Sequence, residues 1–166
     1  MFVKDIQQNF KERGHELVIV SPDVGGVVRA RAIAKRLEAD LAIIDKRRER
    51  AGVSEVMNII GDVDGRTCIL VDDHAGAVGH VADDVHHLGH AGATSLSAYV
   101  THGVLSGGAV ARVTSSPLQS LVITDSIQAT EAVRLAQNIR QLTIAPLMAE
   151  AIKRISEERS VSSLFD

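Results

Sequence analysis

The chain has no tryptophan, one tyrosine and three phenylalanines, so its core has to be built from aliphatic side chains. Val, Ile, Leu and Ala supply most of an apolar fraction of 45 %, a composition suited to strands sandwiched between helices. A single cysteine, Cys68, excludes an intrachain disulfide framework and fits a reducing, cytoplasmic location. It lies in the apolar run "TCILV" and reads as a small buried hydrophobe, because a reactive thiol needs an exposed, electropositive setting. The opening stretch "MFVKDIQQNFKERG" has no long apolar segment, so neither a signal peptide nor a membrane span is expected. Excess positive charge is also missing: the formal net charge is −3, and no stacking aromatics accompany the basic residues. No nucleic-acid partner is expected.

A length of 166 residues suits one domain, residues 1–166, with a single core. Phe2, Ile6 and Phe10 place a helix over residues 2–12. "LVIVS" reads as a buried strand, and the turn "PDVGG" leads into a helix over "VVRARAIAKRLEA". "LAIID" is a strand, "RRERAGVS" a polar loop, "EVMNII" an extended run, and "TCILVDD" a strand ending in two acids. Residues 78–91 are expected to be helical. "TSLSAYVT", "SLVITD" and "IRQLTI" read as strands, and "GGAVARVTS" as a short helix. In "APLMAEAIKRISEERS" one helical face carries Met148, Ala151, Ile152 and Ile155, with Pro146 in the first turn. The tail "VSSLFD" is expected to dock or to meet another subunit. Strands alternating with helices predict an α/β fold with a doubly wound, mainly parallel sheet. Ligands in such sheets gather at the strands' carboxyl ends.

Four loops lie there: "SPDVGG", "DKRRER", "VDDHAGAVGH" and "THGVLSGG". In the first, Asp23, Gly25 and Gly26 precede a helix, so backbone amides and the positive helix end can approach phosphate oxygens. The two glycines are equally consistent with turn geometry alone. "DKRRER" gathers Lys46, Arg47, Arg48 and Arg50, either as cations for a reacting phosphate or as a solvated charged loop. Asp72 and Asp73 stand side by side at a strand end, where carboxylates accept hydrogen bonds from sugar hydroxyls or bind a cation. A helix N-cap accounts for only one of them.

Together, "VIVSPDVGGVVRARAIAKRL", "LAIIDKRRERAGVSEVMNIIGDVDGRTCILVDD", "AYVTHGVLSGGAV", "LVITDSI" and "LTIAPLMAEAIKRISEERSVSSLF" resemble the C-terminal half of ribose-phosphate pyrophosphokinase. The resemblance covers about residues 17–166. It implies a phosphoribosyltransferase-like fold and transfer of a pyrophosphoryl group from ATP to the anomeric hydroxyl of ribose 5-phosphate, with Mg2+. By position, Asp23, Gly25 and Gly26 match the pyrophosphate loop, with Asp23 a magnesium contact. Lys46 and Arg48 match the catalytic loop, and Asp72 and Asp73 the acids that hold the ribose hydroxyls. Family members form homo-oligomers.

Two departures point to impaired catalysis. The family enzyme has two similar α/β domains, and its N-terminal half has no counterpart in this sequence. The family's ribose-phosphate loop runs approximately Asp-Asp-x-x-Asp-Thr/Ser-x-Gly-Thr, whereas this chain reads "DDHAGAVGH". Gly79 survives, but Gly76 replaces the later acid, and Ala77 and His80 replace the two hydroxyl donors. Each lost hydrogen bond to a charged group weakens binding by ~1.5–3 kcal/mol.

The segment Leu70 to Ala93 holds five of the seven histidines. On a helix, His80, Asp84 and His87 fall near one face, a ligand set suited to Zn2+ or Ni2+. The same stretch also reads as an exposed polar helix with ordinary histidines. Against the family pattern, Asp84 occupies a small-residue position facing the sheet, where a carboxylate needs a partner, a proton or a metal. The concentrated replacement reads as an altered or engineered segment. Two other readings are therefore a His/Asp metal-binding scaffold at residues 74–90 and a noncatalytic module that assembles through strand edges and an apolar tail.

Overall fold

Leu17–Ser21 (β1) is buried along its whole length, which fits a strand covered on both faces by helices. It is an interior strand, beside the central β4, of a seven-stranded sheet ordered β3-β2-β1-β4-β5-β6-β7. The computed structural model describes residues 1–10, 16–47, 56–74 and 79–164. The other strands are Asp40–Arg47 (β2), Val56–Ile60 (β3), Thr67–His74 (β4), Ser95–His102 (β5), Ser120–Thr124 (β6) and Ile139–Leu142 (β7). All neighbouring pairs are parallel except β2 with β3. This is the doubly wound, mainly parallel α/β architecture expected from the sequence.

The helices divide between the two faces. Phe2–Phe10 (α1) and Val27–Leu37 (α2) bury Ile6, Ala30 and Ala34 against Leu17, Ile19, Ile69, Val71 and Tyr99. Gly79–His90 (α3) and Ala109–Ser115 (α4) bury Val81, Val85, Leu88, Ala109 and Val113 against Val18, Val20, Cys68, Leu70 and Ala98. Successive residues of a strand point to opposite faces, so even-numbered positions of β1 and β4 meet α3 and odd-numbered ones meet α2. Cys68 is fully buried, and burial pushes its thiol up to about 11. It is a core hydrophobe, as its apolar setting suggested.

Several boundaries differ from the sequence expectation. β2 includes Asp45, in line with the expected strand, and continues through Lys46 and Arg47, which read as loop from the sequence. Antiparallel pairing with Asn58, Met57 and Val56 of β3 gives that backbone its hydrogen-bond partners and overrides the polar side chains. α1 ends at Phe10, and residues 11–15 lie outside the described residues, as do residues 48–55 and 75–78. The short helix Glu131–Leu135 (α5), capped by the Thr130 side chain, was not anticipated. Thr143 and Ile144 leave β7, and Ile144 becomes the N-cap of Ala145–Ser156 (α6).

α6 carries the anticipated apolar face, but none of its residues is buried; Met148, Ile152 and Ile155 are each at least half exposed. The chain then docks back on this helix through Ser162–Leu164, where Arg154 donates to Ser163 Oγ at 2.5 Å and to the Ser160 carbonyl at 3.3 Å. Phe165 lies outside the described residues. Among the described residues, no helix is long and apolar enough to cross a membrane.

One polar clasp ties α1 to the sheet. Tyr99 donates to Asp5 Oδ2 at 2.8 Å, Arg140 of β7 donates to both Asp5 oxygens at 2.9 and 2.5 Å, and Phe2 meets the Tyr99 ring edge-on at 5.4 Å. Arg140 holds the Asp5 carboxyl below its ordinary range, with Tyr99 contributing and burial opposing. A depressed carboxylate stabilises the fold above its unfolded value, and that stability is lost as pH falls through the folded value. Asp5→Asn is therefore expected to cost about 1–2 kcal/mol at neutral pH, given that the guanidinium is partly solvated. The gap from the native chain should close below about pH 4, measured by denaturant unfolding across pH.

Candidate functional site

β1 and β4 are neighbours, yet β1 leads to β2 on one side and β4 to β5 on the other. The space beyond their carboxyl ends is a topological switch point, where open α/β sheets take ligands. The chain after β1 is closed by two hydrogen bonds: Ser21 Oγ donates to the Asp23 carbonyl at 2.7 Å, and the Gly26 amide donates to Asp23 Oδ1 at 2.7 Å. A Cβ on Gly26 would stand 2.8 Å from Ser21 Oγ, so the loop closes this tightly only around glycine. Gly26 caps α2 without a side-chain hydrogen bond. Glycine has no side chain to cap the first-turn amides, and the Asp23 carboxylate meets the positive end of the helix through the Gly26 amide.

Across the switch point, β4 ends in Asp72, Asp73 and His74. The Asp73 amide donates to Asp72 Oδ1 at 2.8 Å. From the first turn of α2, Arg29 reaches Asp73 Oδ2 at 2.5 Å and lies 3.8 Å from Asp72 Oδ1. His74 Nδ1 is 3.0 Å from Asp73 Oδ1. The two adjacent acids are driven apart electrostatically. The hydrogen bond from His74 chiefly holds Asp73 down at about 2, with Asp72 and Arg29 adding to it and burial opposing. Burial is the main cause that raises Asp72, and the negative charges of Asp73 and Asp23 push the same way. The negative charge of Asp23 thus reaches Asp72 across the switch point.

Beside them, β5 contributes His102, the register partner of His74, with ring centroids 5.2 Å apart. His102 Nδ1 meets Ser126 Oγ at 2.9 Å. Arg29, His102 and Ser126 were not singled out in the sequence. The available signals were the placement of Arg29 one turn after Gly26 and the position of His102 in the "THGVLSGG" loop.

Lys46 lies at the end of β2, on the same face as Ala42 and Ile44. Its Nζ is 2.7 Å from Asp84 Oδ1 and donates to Asp84 Oδ2 at 2.9 Å. Asp84 is 0 % exposed, and removing one partner of such a buried pair costs ~3–5 kcal/mol. The need for a partner at Asp84, inferred from its position facing the sheet, is met by this lysine. The structure does not bring Asp84 and His87 together: Asp84 points into the core, whereas His87 is exposed with Nδ1 3.1 Å from the Asp83 carbonyl. The side chain of His80 and all of Arg48 lie outside the described residues, and Gly79 is the first residue of α3. Among the described residues, no group of three or more His, Cys, Asp and Glu side chains is arranged to hold a metal ion.

The protein from Granulibacter bethesdensis named ribose-phosphate pyrophosphokinase is 67 % identical over 166 residues, a match covering 100 % of this chain and 53 % of that protein. The chain thus spans about half the length of the curated relatives it matches. The crystal structure of phosphoribosylpyrophosphate synthetase from Mycobacterium smegmatis superposes with a TM-score of 0.85 at 33 % identity, covering 95 % of this chain and 50 % of that one. Hypoxanthine phosphoribosyltransferase from Trypanosoma cruzi shares the fold alone, with a TM-score of 0.50 at 13 % identity over 86 % of this chain and 69 % of the other. The model of the phosphoribosyl synthetase-associated domain matches residues 49–166, and the chain belongs to that family.

Proposed function

We propose that this chain is the ribose 5-phosphate-binding half of an ATP-dependent pyrophosphokinase, with a weakened grip on the sugar phosphate. One observation carries the reading. At the switch point, the glycine-led start of α2 at Gly25 and Gly26 lies across from the acid pair Asp72 and Asp73, which Arg29 of its first turn reaches. Amide donors suit phosphate oxygens, and carboxylates suit ribose hydroxyls. One site thus offers complementary partners for both ends of a phosphorylated sugar.

Mg2+ fits these residues as an ion shared with substrate. It binds through one or two carboxylates plus phosphate oxygens rather than in an all-protein cage. Asp23 and Asp72 would hold it, since the negative charge of Asp23 reaches Asp72. When bound, it would neutralise charge on the phosphates. His74, aided by Arg29, keeps Asp73 ionised and oriented, so that Asp73 accepts from a hydroxyl and does not donate. Lys46 and Arg48 serve the transferred group as cations. ATP is the second substrate of this reading.

Impairment follows from Ala77 and His80, which stand where the family pattern has hydroxyl donors. Titration calorimetry with ribose 5-phosphate and Mg2+ tests the assignment. Ala77→Ser and His80→Thr are each expected to tighten binding by about tenfold or more, the value of a restored hydrogen bond to a charged group. Asp73→Asn is expected to weaken it by about tenfold, and equal affinity in all four proteins would remove the site.

Turnover is a separate measurement. With ATP, ribose 5-phosphate and Mg2+, product formation should stay about a hundredfold or more below that of full-length relatives, the usual cost of losing one donor to a reacting charge. A rate equal to theirs overturns the impairment.

A further inference from the structure

Val81, Asp84, Val85 and Leu88 share the inward face of α3, and all four are buried. Three are hydrophobes packed against the sheet, and the fourth is a carboxylate. Its burial would strip the charge of hydration, so the charge has to be answered within the protein. The answer comes from the strand that the resemblance links to catalysis. Lys46 approaches both Asp84 oxygens, at 2.7 and 2.9 Å, with its side chain 15 % exposed.

We infer that Asp84 is a positioning residue for Lys46, a buried counterion on α3 that fixes the ammonium against the helix and withholds its charge from an anionic ligand. The inference rests on the reading of Lys46 as a cation that serves the transferred group. Two features give the contact its direction. Lys46 sits near the end of the β2–β3 ribbon, and its four-carbon stem can carry the ammonium into water. Asp84 has a short side chain in the middle of a packed helix and no comparable route out. The acid is therefore the fixed member and the lysine the movable one. A ligand that recruits Lys46 has to leave Asp84 buried without it, so α3 sets the availability of a charge carried by β2.

The decisive measurement uses the native chain with 15N-labelled lysine. Side-chain ammonium protons of exposed lysines exchange with water too fast to observe at neutral pH, whereas a shielded, hydrogen-bonded ammonium persists. A persistent Lys46 signal, assigned by its loss in Lys46→Arg and absent from Asp84→Ala, is the expected result. No Lys46 signal in the native chain, or one unchanged in Asp84→Ala, overturns the inference.

Acylation by an N-hydroxysuccinimide ester, read by peptide mass spectrometry, gives an independent test. Lys46 should react about tenfold faster in Asp84→Ala, in line with the loss of a charge-assisted bond, and slow again in Asp84→Glu. Cys68 should resist a maleimide throughout, which separates release of Lys46 from general unfolding. Equal Lys46 rates in native and Asp84→Ala protein overturn the inference. Inorganic pyrophosphate should protect Lys46 in Asp84→Ala but not in the native chain. Failure of protection alongside the expected ammonium signal counts against the substrate reading and leaves the Asp84 assignment standing.

Discussion

The parallel pairing of β1 with β4 is the constraint on which the site depends. Leu17 to Val20 align with Thr67 to Leu70, two apolar runs buried on both faces. A slip of one residue would exchange the face of every side chain along the strand. Val18, Val20, Cys68 and Leu70 would leave the α3 side, and Ile19 and Ile69 would leave the α2 side. The aliphatic core thus locks the register. The register in turn brings the charge of Asp23 within reach of Asp72.

Once that register is fixed, strand alternation sorts the charges. Asp73 falls on the side of α2 and meets Arg29, whereas Asp72 falls on the side of α3 and is the more buried of the two. This explains how adjacent carboxylates take opposite shifts. One has a guanidinium and an imidazole to stabilise its charge, and the other has burial and two acidic neighbours. A cation or a set of sugar hydroxyls would relieve the second without disturbing the first. Binding chemistry at this edge therefore follows from the parity of positions along β4.

Much of the fold was legible because apolar runs and their punctuation are local signals. β1, β4 and β5 announce themselves as continuous hydrophobic segments, and Gly26 marks the entry to α2. Lys46 and Arg47 did not read as strand, because their conformation is set by β3 rather than by their own propensities. α6 shows the complementary failure. Its helical period was correct, but periodicity reports a potential apolar face and not whether another element covers it. Among site residues, Asp23, Asp72 and Asp73 were visible as acids at strand ends. Their partners were not: Arg29 is 44 residues from Asp73 in sequence, and Lys46 is 38 from Asp84. The pairing depends on which face each element presents, which emerges only when the sheet is assembled.

The Lys46–Asp84 pair links the helix that follows β4 to a second part of the sheet. Replacing a buried ion pair by hydrophobes of similar volume is often neutral or stabilising, so stability alone gives weak grounds for such a pair. Location gives stronger grounds. β2 pairs with β1 only as far as Ile43, so beyond that point the antiparallel pairing with the edge strand β3 fixes just one side of the chain that carries Lys46. The buried acid adds a second attachment, from the ribbon's inner face to α3, through the ammonium of Lys46. The chemistry of β2 is thereby coupled to the packing of α3.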